Sequence, residues 1–241
     1  MTDVLAALMT RAPGLCVLVD PERTTPADAA ALAARAEADG VAALLIGTSY
    51  DDTARTGEVA AAIKRASALP LLLFPGSAAQ LVPEVDAVLF LSLVSGRNPQ
   101  YLIEEHVRAV PFFRQHPVPV ISTAYILVDG GRVTAVEAVS QTRPLPSDKP
   151  EIAAAHAMAG AMIGMAAVYL DAGSGAARPV APDVIRAVRR AVTLPLLVGG
   201  GLKTAAEVCD ARRAGADFVV VGSAIERGGV GRVRELAAAA R

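Results

Sequence analysis

The chain has 241 residues, of which 53% are hydrophobic and 20% are charged, and its formal net charge is −1. This composition supplies a large apolar core and argues against disorder, and the near-neutral charge excludes the basic surface that nucleic-acid binding requires. The two cysteines, Cys16 and Cys209, make neither a disulfide framework nor a zinc site, and they fit a reducing, cytoplasmic setting. The length is close to the ~250 residues of one (β/α)₈ barrel.

One stretch of the chain has the composition of a membrane segment. Residues Ala153–Leu170 are nearly all apolar and contain Gly160-x-x-x-Gly164, a spacing found in membrane-helix dimers. Because His156 lies inside the stretch and charged residues flank it, we predict instead a helix of small residues followed by a buried strand. The N-terminus lacks a long apolar core, so no secretory signal is expected.

Short apolar runs recur along the chain and predict eight buried strands. The predicted strands are Leu15–Val19, Ala43–Ile46, Leu71–Phe74, Ala87–Leu91, Val118–Ser122, Ala167–Leu170, Leu196–Val198 and Phe218–Val221. Helix-like segments separate most of them. The predicted helices are Pro26–Ala38, Asp52–Ala66, Pro99–Arg114, Glu151–Gly164, Pro182–Ala191, Thr204–Ala214 and Val230–Ala240. Alternating strands and helices predict a parallel sheet. Eight repeats favour a (β/α)₈ TIM barrel in one domain, residues 1–241, over a doubly wound open sheet.

Three places depart from the strand–helix repeat. Only twelve residues, Pro75 to Asp86, separate the third and fourth strands, so the third helix is predicted to be irregular or missing. A long insertion follows the fifth strand, and its segment 126–133 predicts a small hairpin. An extra N-terminal helix, Asp3–Arg11, is predicted to cover the bottom of the barrel.

Glycine clusters follow the last three predicted strands. They are Gly173-Ser174-Gly175, Gly199-Gly200-Gly201 and Gly222-Ser223. Glycine lets backbone N–H groups approach and face an anion, and (β/α)₈ barrels often bind a phosphate after their last strands. A single cluster is weak evidence, because glycine also ends strands for structural reasons. Three clusters in phase with the repeat favour a phosphate cradle.

Two earlier strand ends carry candidate metal ligands. Asp20 ends the first strand, where a carboxylate points into a barrel site and can bind Mg²⁺ through oxygen. Capping the turn before Pro21 is an equally good interpretation. Thr48 and Ser49 follow the second strand, and their hydroxyls could assist a metal or a second phosphate, or could simply end the strand.

The later strand ends carry candidate substrate-binding and catalytic residues. Arg97, after the fourth strand, could bind a phosphate through two N–H groups, although a surface arginine is the simpler interpretation. Tyr125 follows the fifth strand, and Tyr169 and Asp171 stand at the end of the sixth, just before a glycine cluster. The Asp171 carboxylate would lie beside the predicted phosphate, where it could accept hydrogen bonds from substrate hydroxyls, act as a base or cap a turn.

These motifs, taken together, resemble one family. The chain is similar to the geranylgeranylglyceryl phosphate synthases and their bacterial relatives, the PcrB-type prenylglyceryl phosphate synthases, from about Leu15 to Glu226. The matching stretches are VLVDPER, LLIGTS, LLLFPGS, DAVLFLSLVSGRNPQYLI, TAYILVDGG, VYLDAGSGA, LLVGGGLKT and GADFVVVGSAIE. The combination of YLDAGSGA with FPGS is specific to this family. The segment SQTRPLPSDKP, residues 140–150, resembles the second subgroup.

The resemblance implies a prenyltransferase of ether phospholipid biosynthesis. In that reaction the 3-hydroxyl of sn-glycerol 1-phosphate attacks C1 of a prenyl diphosphate, and diphosphate leaves. Mg²⁺ offsets the charge that grows on the leaving group. The resemblance also implies a cytoplasmic homo-oligomer, either a dimer or a hexamer, that contacts the membrane peripherally for product release.

The resemblance assigns roles to the candidate residues. Asp20 binds the metal with Ser49 near it, and Tyr169 and Asp171 contact the glycerol. The residues that hold the glycerol phosphate are Gly173, Ser174, Gly175, Gly200, Gly201, Gly222 and Ser223. The prenyl chain lies in an apolar groove near the broken third unit, because a long lipid tail needs an open apolar slot.

Three positions differ from the family pattern. The family has glutamate where this chain has Asp171, which withdraws the carboxylate by about one carbon–carbon bond length. Gly47-Thr48 replaces a glycine pair, and Ala124 replaces a glycine. The first difference bears on the acceptor, and 3-phosphoglycerate is the alternative. The last two concern fit more than chemistry.

Two other functions compete with prenyl transfer. A different phosphate-binding barrel enzyme, such as a sugar-phosphate isomerase or a flavin-binding oxidoreductase, would share the glycine loops but does not predict FPGS or YLDAGSGA. A non-catalytic phosphate-binding protein would keep the loops and lose the metal-binding acid, whereas this chain has Asp20.

Overall fold

The computed structural model describes residues 3–48 and 53–241 of the chain. Eight parallel strands pair in sequence order, and the first pairs with the last to close a barrel. The strands are β1 Gly14–Val19, β2 Ala43–Ile46, β3 Leu71–Leu73, β4 Ala87–Leu93, β5 Val120–Leu127, β6 Ala167–Asp171, β7 Leu196–Gly199 and β8 Phe218–Val221. The expected (β/α)₈ barrel is therefore confirmed.

Helices alternate with the strands around the barrel. They are α1 Asp3–Met9, α2 Pro26–Ala38, α3 Thr53–Ala66, α4 Glu105–Gln115, α5 Ala135–Ser140, α6 Pro150–Met162, α7 Pro182–Ala191, α8 Ala205–Arg213, α9 Ser223–Gly228 and α10 Arg232–Ala239. Local sequence explains several starts. The side chain of Thr25 accepts from the Asp28 N–H at 3.2 Å before α2, and Thr204 forms a capping box with Glu207 before α8.

The apolar side chains divide into two layers because successive strand residues face opposite sides of the sheet. The inner layer fills the barrel with residues such as Leu45, Leu72, Leu89 and Phe218. The outer layer packs the other strand face against the helices. The N-terminal helix α1 places its buried leucines in the inner layer, so it closes the bottom of the barrel as predicted.

The third strand–helix unit is irregular, as the short connection predicts. Only a 3-10 turn, Ala78–Gln80, connects β3 to β4. The sequence preceding α4 is also unusual, because a π-helical turn, Gln100–Glu104, runs directly into α4. Turns of this kind are frequent at functional sites.

The stretch suspected of membrane character forms α6 and β6. Within the described residues, every helix is too short or too polar to cross a bilayer.

The predicted hairpin at 126–133 is wrong. β5 continues to Leu127 because its residues pair with β4 up to Tyr125 and with β6 up to Leu127. Val128 then forms a parallel bridge with Leu145, and α5 lies between the two. Tyr125 therefore lies within a strand instead of after it, and β6 likewise extends to include Asp171.

Candidate active site

A cavity of about 580 Å³ opens at the C-terminal end of the barrel. The glycine loops after β6, β7 and β8 form one side of it, together with polar side chains from β1, β5 and β6. The rest of the lining comes from β3, β4, the 3-10 turn, the π-helical turn, α4 and α5, and it is largely apolar, although Tyr101, Glu105 and His106 also contribute. Apolar residues in this part of the lining include Leu81, Phe90, Leu91, Leu93, Ala109, Val136 and Val139. The cavity therefore joins a polar end, suited to phosphates, to an apolar groove.

The glycine loops after β6 and β7 pack so closely that a side chain would not fit at Gly200. Gly200 has a φ of +80°, which disfavours other residues. A β-carbon there would lie 2.5 Å from the Gly173 nitrogen. Gly173 in turn packs against Thr134, whose buried Oγ1 has no hydrogen-bond partner within the described part of the chain. Backbone therefore forms the wall at this end of the cavity, as a phosphate cradle requires.

Asp171 is buried and held on both of its carboxylate oxygens. Oδ2 accepts from the Tyr125 hydroxyl at 2.5 Å, and Oδ1 accepts from the Gly173 N–H at 2.8 Å. Burial raises the pKa of the Asp171 carboxyl above its ordinary value, and those two hydrogen bonds offset part of the rise. Asp171 thus links β5 to the first glycine loop and presents a carboxylate with raised proton affinity to the cavity.

Three aromatic rings form the floor beside Asp171. Phe74 stacks on Tyr169 with ring centroids 5.0 Å apart, and Tyr125 lies 5.6 Å from Tyr169. Burial, and then the charge of Asp171, raise the pKa of both tyrosines well above the ordinary value. Both hydroxyls therefore stay protonated and can donate hydrogen bonds.

Two carboxylates meet at the mouth of the cavity. Asp20 Oδ2 lies 3.5 Å from Arg23 Nε, and Glu226 Oε2 lies 3.7 Å from Arg23 Nη1. Burial, and then the nearby charge of Asp20, raise the pKa of Glu226. Sequence reasoning missed Glu226. Its signal was an acid one helical turn after the Gly222-Ser223 cluster.

The two carboxylates, Asp20 and Glu226, are too few to enclose a metal ion with protein ligands alone, but their number is compatible with Mg²⁺. Within residues 3–48 and 53–241, no three or more His, Cys, Asp or Glu side chains converge on a possible metal position. Mg²⁺ commonly takes only one or two carboxylates and completes its octahedron with water and substrate phosphates. Asp20 and Glu226 supply oxygen ligands of this kind beside the cavity. Ser49 lies outside the described residues, and Thr48 lines the cavity.

The structure brings most of the predicted site residues together. Those that line the cavity are Asp20, Tyr125, Tyr169, Asp171, Ser174, Gly175, Gly200, Gly201, Gly222 and Ser223. Gly173 supports the lining through its bond to Asp171. Arg97 is different, because it lies in a separate pocket and its guanidinium donates to the Gly96 carbonyl at 2.7 Å. Four cations that sequence reasoning did not select also line the cavity: Arg23, Arg132, Lys203 and Arg227.

The sequence model of the PcrB family matches residues 9–240. The chain belongs to the PcrB family. A geranylgeranylglyceryl phosphate synthase from Chitinophaga pinensis is 44% identical over 211 residues, which cover 88% of this chain and 84% of the relative. A synthase of the same name from Spirosoma linguale is 43% identical over 211 residues, covering 88% and 85%.

A solved structure is also similar over its whole length. It is (S)-3-O-geranylgeranylglyceryl phosphate synthase from Thermoplasma acidophilum, in complex with its substrate sn-glycerol-1-phosphate. The TM-score is 0.92 at 29% identity, and the match covers 99% of this chain and 98% of the other. The architecture of the PcrB-family chain is thus that of a synthase known to bind a glycerol phosphate.

The close approach at Gly200 gives a stability prediction for this PcrB-family chain. We expect Gly200→Ala to destabilise the fold by about 2–4 kcal/mol, because it adds backbone strain to a clash with the Gly173 loop. Gly229→Ala is the matched control: its φ is +76°, but a β-carbon there would meet nothing within 4 Å. Urea unfolding of both variants separates the clash from the strain. Equal losses would contradict the tight loop packing.

Proposed function

We propose that the chain is a Mg²⁺-dependent prenyltransferase that joins a prenyl diphosphate to sn-glycerol 1-phosphate through an ether bond. The observation that carries the proposal is one cavity with a glycine-walled polar end and an apolar groove, in a PcrB-family barrel. A phosphorylated acceptor and a lipid donor need this combination of surfaces. The relatives named geranylgeranylglyceryl phosphate synthase support the same reaction.

The acceptor is proposed to bind at the glycine loops. Backbone N–H groups and the hydroxyls of Ser174 and Ser223 would hold its phosphate, with the residues of the three glycine clusters around it. The Tyr169 hydroxyl and the Asp171 carboxylate would then face the glycerol hydroxyls. Because Tyr169 stays protonated and Asp171 accepts, the pair can hold a hydroxyl through both a donor and an acceptor.

The donor is proposed to place its prenyl chain in the apolar groove. The groove lies against the irregular third unit, where a regular helix would have covered β3 and β4. Phe90 and His106 line it, with ring centroids 4.3 Å apart. Burial lowers the pKa of His106, which favours its uncharged form beside a lipid. The diphosphate would face the polar end, near Asp20.

Asp20 and Glu226 are proposed to hold Mg²⁺ through carboxylate oxygens, with Ser49 nearby. When bound, the ion would offset the negative charge of the leaving diphosphate. Arg23 lies within 4 Å of both carboxylates, so it would keep them oriented and would add positive charge beside the diphosphate. The donor set, its place at the cavity mouth and the family support this assignment.

The two substrates and Asp171 account for every bond and proton in the proposed transfer. The bond between the prenyl C1 and the diphosphate oxygen breaks, and the acceptor oxygen forms a new bond to C1. The hydroxyl proton passes to Asp171, whose raised pKa suits a general base. The products are the prenylglyceryl phosphate, diphosphate and a proton, which Asp171 releases to solvent.

In this proposal the identity of the acceptor depends mainly on Asp171. Its carboxylate is held back by Tyr125 and Gly173, while Arg132 and Lys203 add positive charge to the cavity lining. That arrangement also suits a three-carbon phosphate with its own carboxylate, such as 3-phosphoglycerate. It is the second candidate acceptor for the same transfer.

We also propose that the chain works as a homo-oligomer in the cytoplasm and releases its product at a membrane surface. Ile103 in the π-helical turn and Val107 and Val110 on α4 are each at least half exposed. They share one helical face, which supports association of apolar surfaces.

An acceptor panel tests the proposed function. The protein is incubated with Mg²⁺, a radiolabelled prenyl diphosphate of ten to thirty-five carbons and one acceptor at a time, and butanol extracts are counted. We expect extractable phosphate-bearing lipid with sn-glycerol 1-phosphate and less with its enantiomer. Lipid formed only with 3-phosphoglycerate would make that compound the assigned acceptor. Absence of lipid with every donor would overturn the assignment as a prenyltransferase.

A further inference from the structure

A second pocket, of about 620 Å³, lies beside the candidate active site. It is formed by the loop after β4, residues 95–99, and by the turn after α5, residues 141–143. Its lining residues are Ser95, Gly96, Arg97, Asn98, Pro99, Gln141, Thr142 and Arg143. It shares none of them with the first cavity, although Val139 and Ser140 of α5 line that cavity and lead directly into the turn.

The two loops that form this pocket are tied together. Asn98 Nδ2 donates to the Ser140 carbonyl at 3.0 Å, which joins the two segments, and Ser95 Oγ accepts from the Leu127 N–H at 2.9 Å, which fixes the first loop to β5. Gly96 packs so tightly that a β-carbon there would lie 2.7 Å from Thr142 Oγ1. Gln141 holds a left-handed φ of 54°, a conformation that persists in a non-glycine residue only when its surroundings fix it. The pocket is therefore built on fixed backbone.

The charge of this pocket is positive and unbalanced. Arg97 and Arg143 are its only charged lining residues, and for neither does the described part of the chain supply an acid within salt-bridge distance. Both side chains are exposed. Within the described residues seven other arginines pair with an acid, and the remaining ones, including Arg190, do not. Two like charges on opposing loops create a local field that favours an anion between them.

We propose that this pocket is a second anion site, which binds a phosphate or diphosphate group separately from the acceptor phosphate. Guanidinium groups bind phosphate oxygens through paired N–H donors. Arg97 uses one donor on the Gly96 carbonyl, and its other N–H groups remain available. Gln141 and the buried Thr142 add polar side chains to the lining of the same pocket. The same chemistry would accept free diphosphate or the phosphate of a lipid headgroup.

Calorimetric titration with sodium diphosphate, without Mg²⁺ and at constant ionic strength, tests the site. The variants are Arg97→Gln, Arg143→Gln and the double substitution. The control is Arg190→Gln, an exposed arginine on α7. We expect each single change to weaken one binding event about tenfold or more, and the double variant to bind one diphosphate fewer than the native protein. The number of diphosphate ions bound per protein falls by one whether or not the glycine loops also bind diphosphate. The result therefore does not depend on the proposed reaction.

An unchanged count in the double variant would overturn the proposal, as would an equal loss in Arg190→Gln. Circular dichroism and thermal melts establish that the variants are folded. Sedimentation with phosphatidylcholine vesicles, with and without phosphatidic acid, identifies the source of the anion. Binding to acidic vesicles that is lost only in the double variant assigns the site to a lipid headgroup. Loss of diphosphate binding alone assigns it to the free anion.

Discussion

Asp20→Asn is expected to lower kcat by about 10²–10⁴-fold, because a bound cation contributes several kcal/mol to stabilising a departing phosphate group. The fold should remain intact. Asp20 Oδ1 accepts from the Glu22 N–H at 3.0 Å, and the amide oxygen of asparagine can keep that bond. What is lost is the negative charge that holds Mg²⁺. Steady-state kinetics across a magnesium titration measures the loss.

Two further measurements make this expectation specific. Asp183→Asn removes an exposed carboxylate that pairs with Arg186 on α7 and does not line the cavity, so it should leave kcat unchanged. Manganese binding, followed by electron paramagnetic resonance with diphosphate present, should weaken in Asp20→Asn and not in the control. Native turnover in Asp20→Asn would reject the metal assignment.

Asp171→Glu is expected to raise kcat/KM for sn-glycerol 1-phosphate by about tenfold. The native carboxylate is held by Tyr125 and Gly173 at the strand end. A glutamate would extend it into the cavity by about 1.5 Å, one carbon–carbon bond length. A charge-assisted hydrogen bond to the acceptor hydroxyl would contribute about 1.5–3 kcal/mol, and better positioning lowers the barrier.

Tyr125→Phe is the companion to that change. It removes the hydroxyl that holds Asp171 Oδ2 and leaves the ring packed against Phe74 and Tyr169. If the carboxylate acts from its held position, Tyr125→Phe should lower kcat more than it changes KM. If Asp171→Glu abolishes activity while the native protein works well with another phosphorylated three-carbon acceptor, that compound replaces sn-glycerol 1-phosphate as the assigned acceptor.

The fold was largely predictable because each buried strand is a short apolar run between helices. β5 was the exception. Its middle contains Ser122, Thr123 and Ala124. Their small or polar side chains interrupt the apolar run, so the sequence predicted an end at Ser122 and a hairpin where the strand continues. The absence of a regular helix between β3 and β4 was predictable from the length of the connecting segment, because its twelve residues are too few for a full strand–helix unit.

The parts of the candidate site that follow strand ends in sequence were predictable. The contacts that depend on how strands pair in the closed barrel were not. The glycine loops follow their strands in sequence and meet in space because parallel strands end at one edge. The Tyr125–Asp171 bond depends on the register of β5 against β6. Glu226 reaches Asp20 only because β8 pairs with β1. Arg97 follows a strand like the others, but its loop turns outward towards residues 141–143.

An oxygen label can follow the proposed displacement of diphosphate from a prenyl group by an acceptor hydroxyl. sn-Glycerol 1-phosphate with ¹⁸O in its 3-hydroxyl is incubated with the native protein, Mg²⁺ and geranylgeranyl diphosphate, and the lipid product is analysed by mass spectrometry. We expect one ¹⁸O retained in the ether of each product and one diphosphate released for each ether formed. Diphosphate released without labelled ether, or a lipid that lacks ¹⁸O, would contradict the proposed displacement.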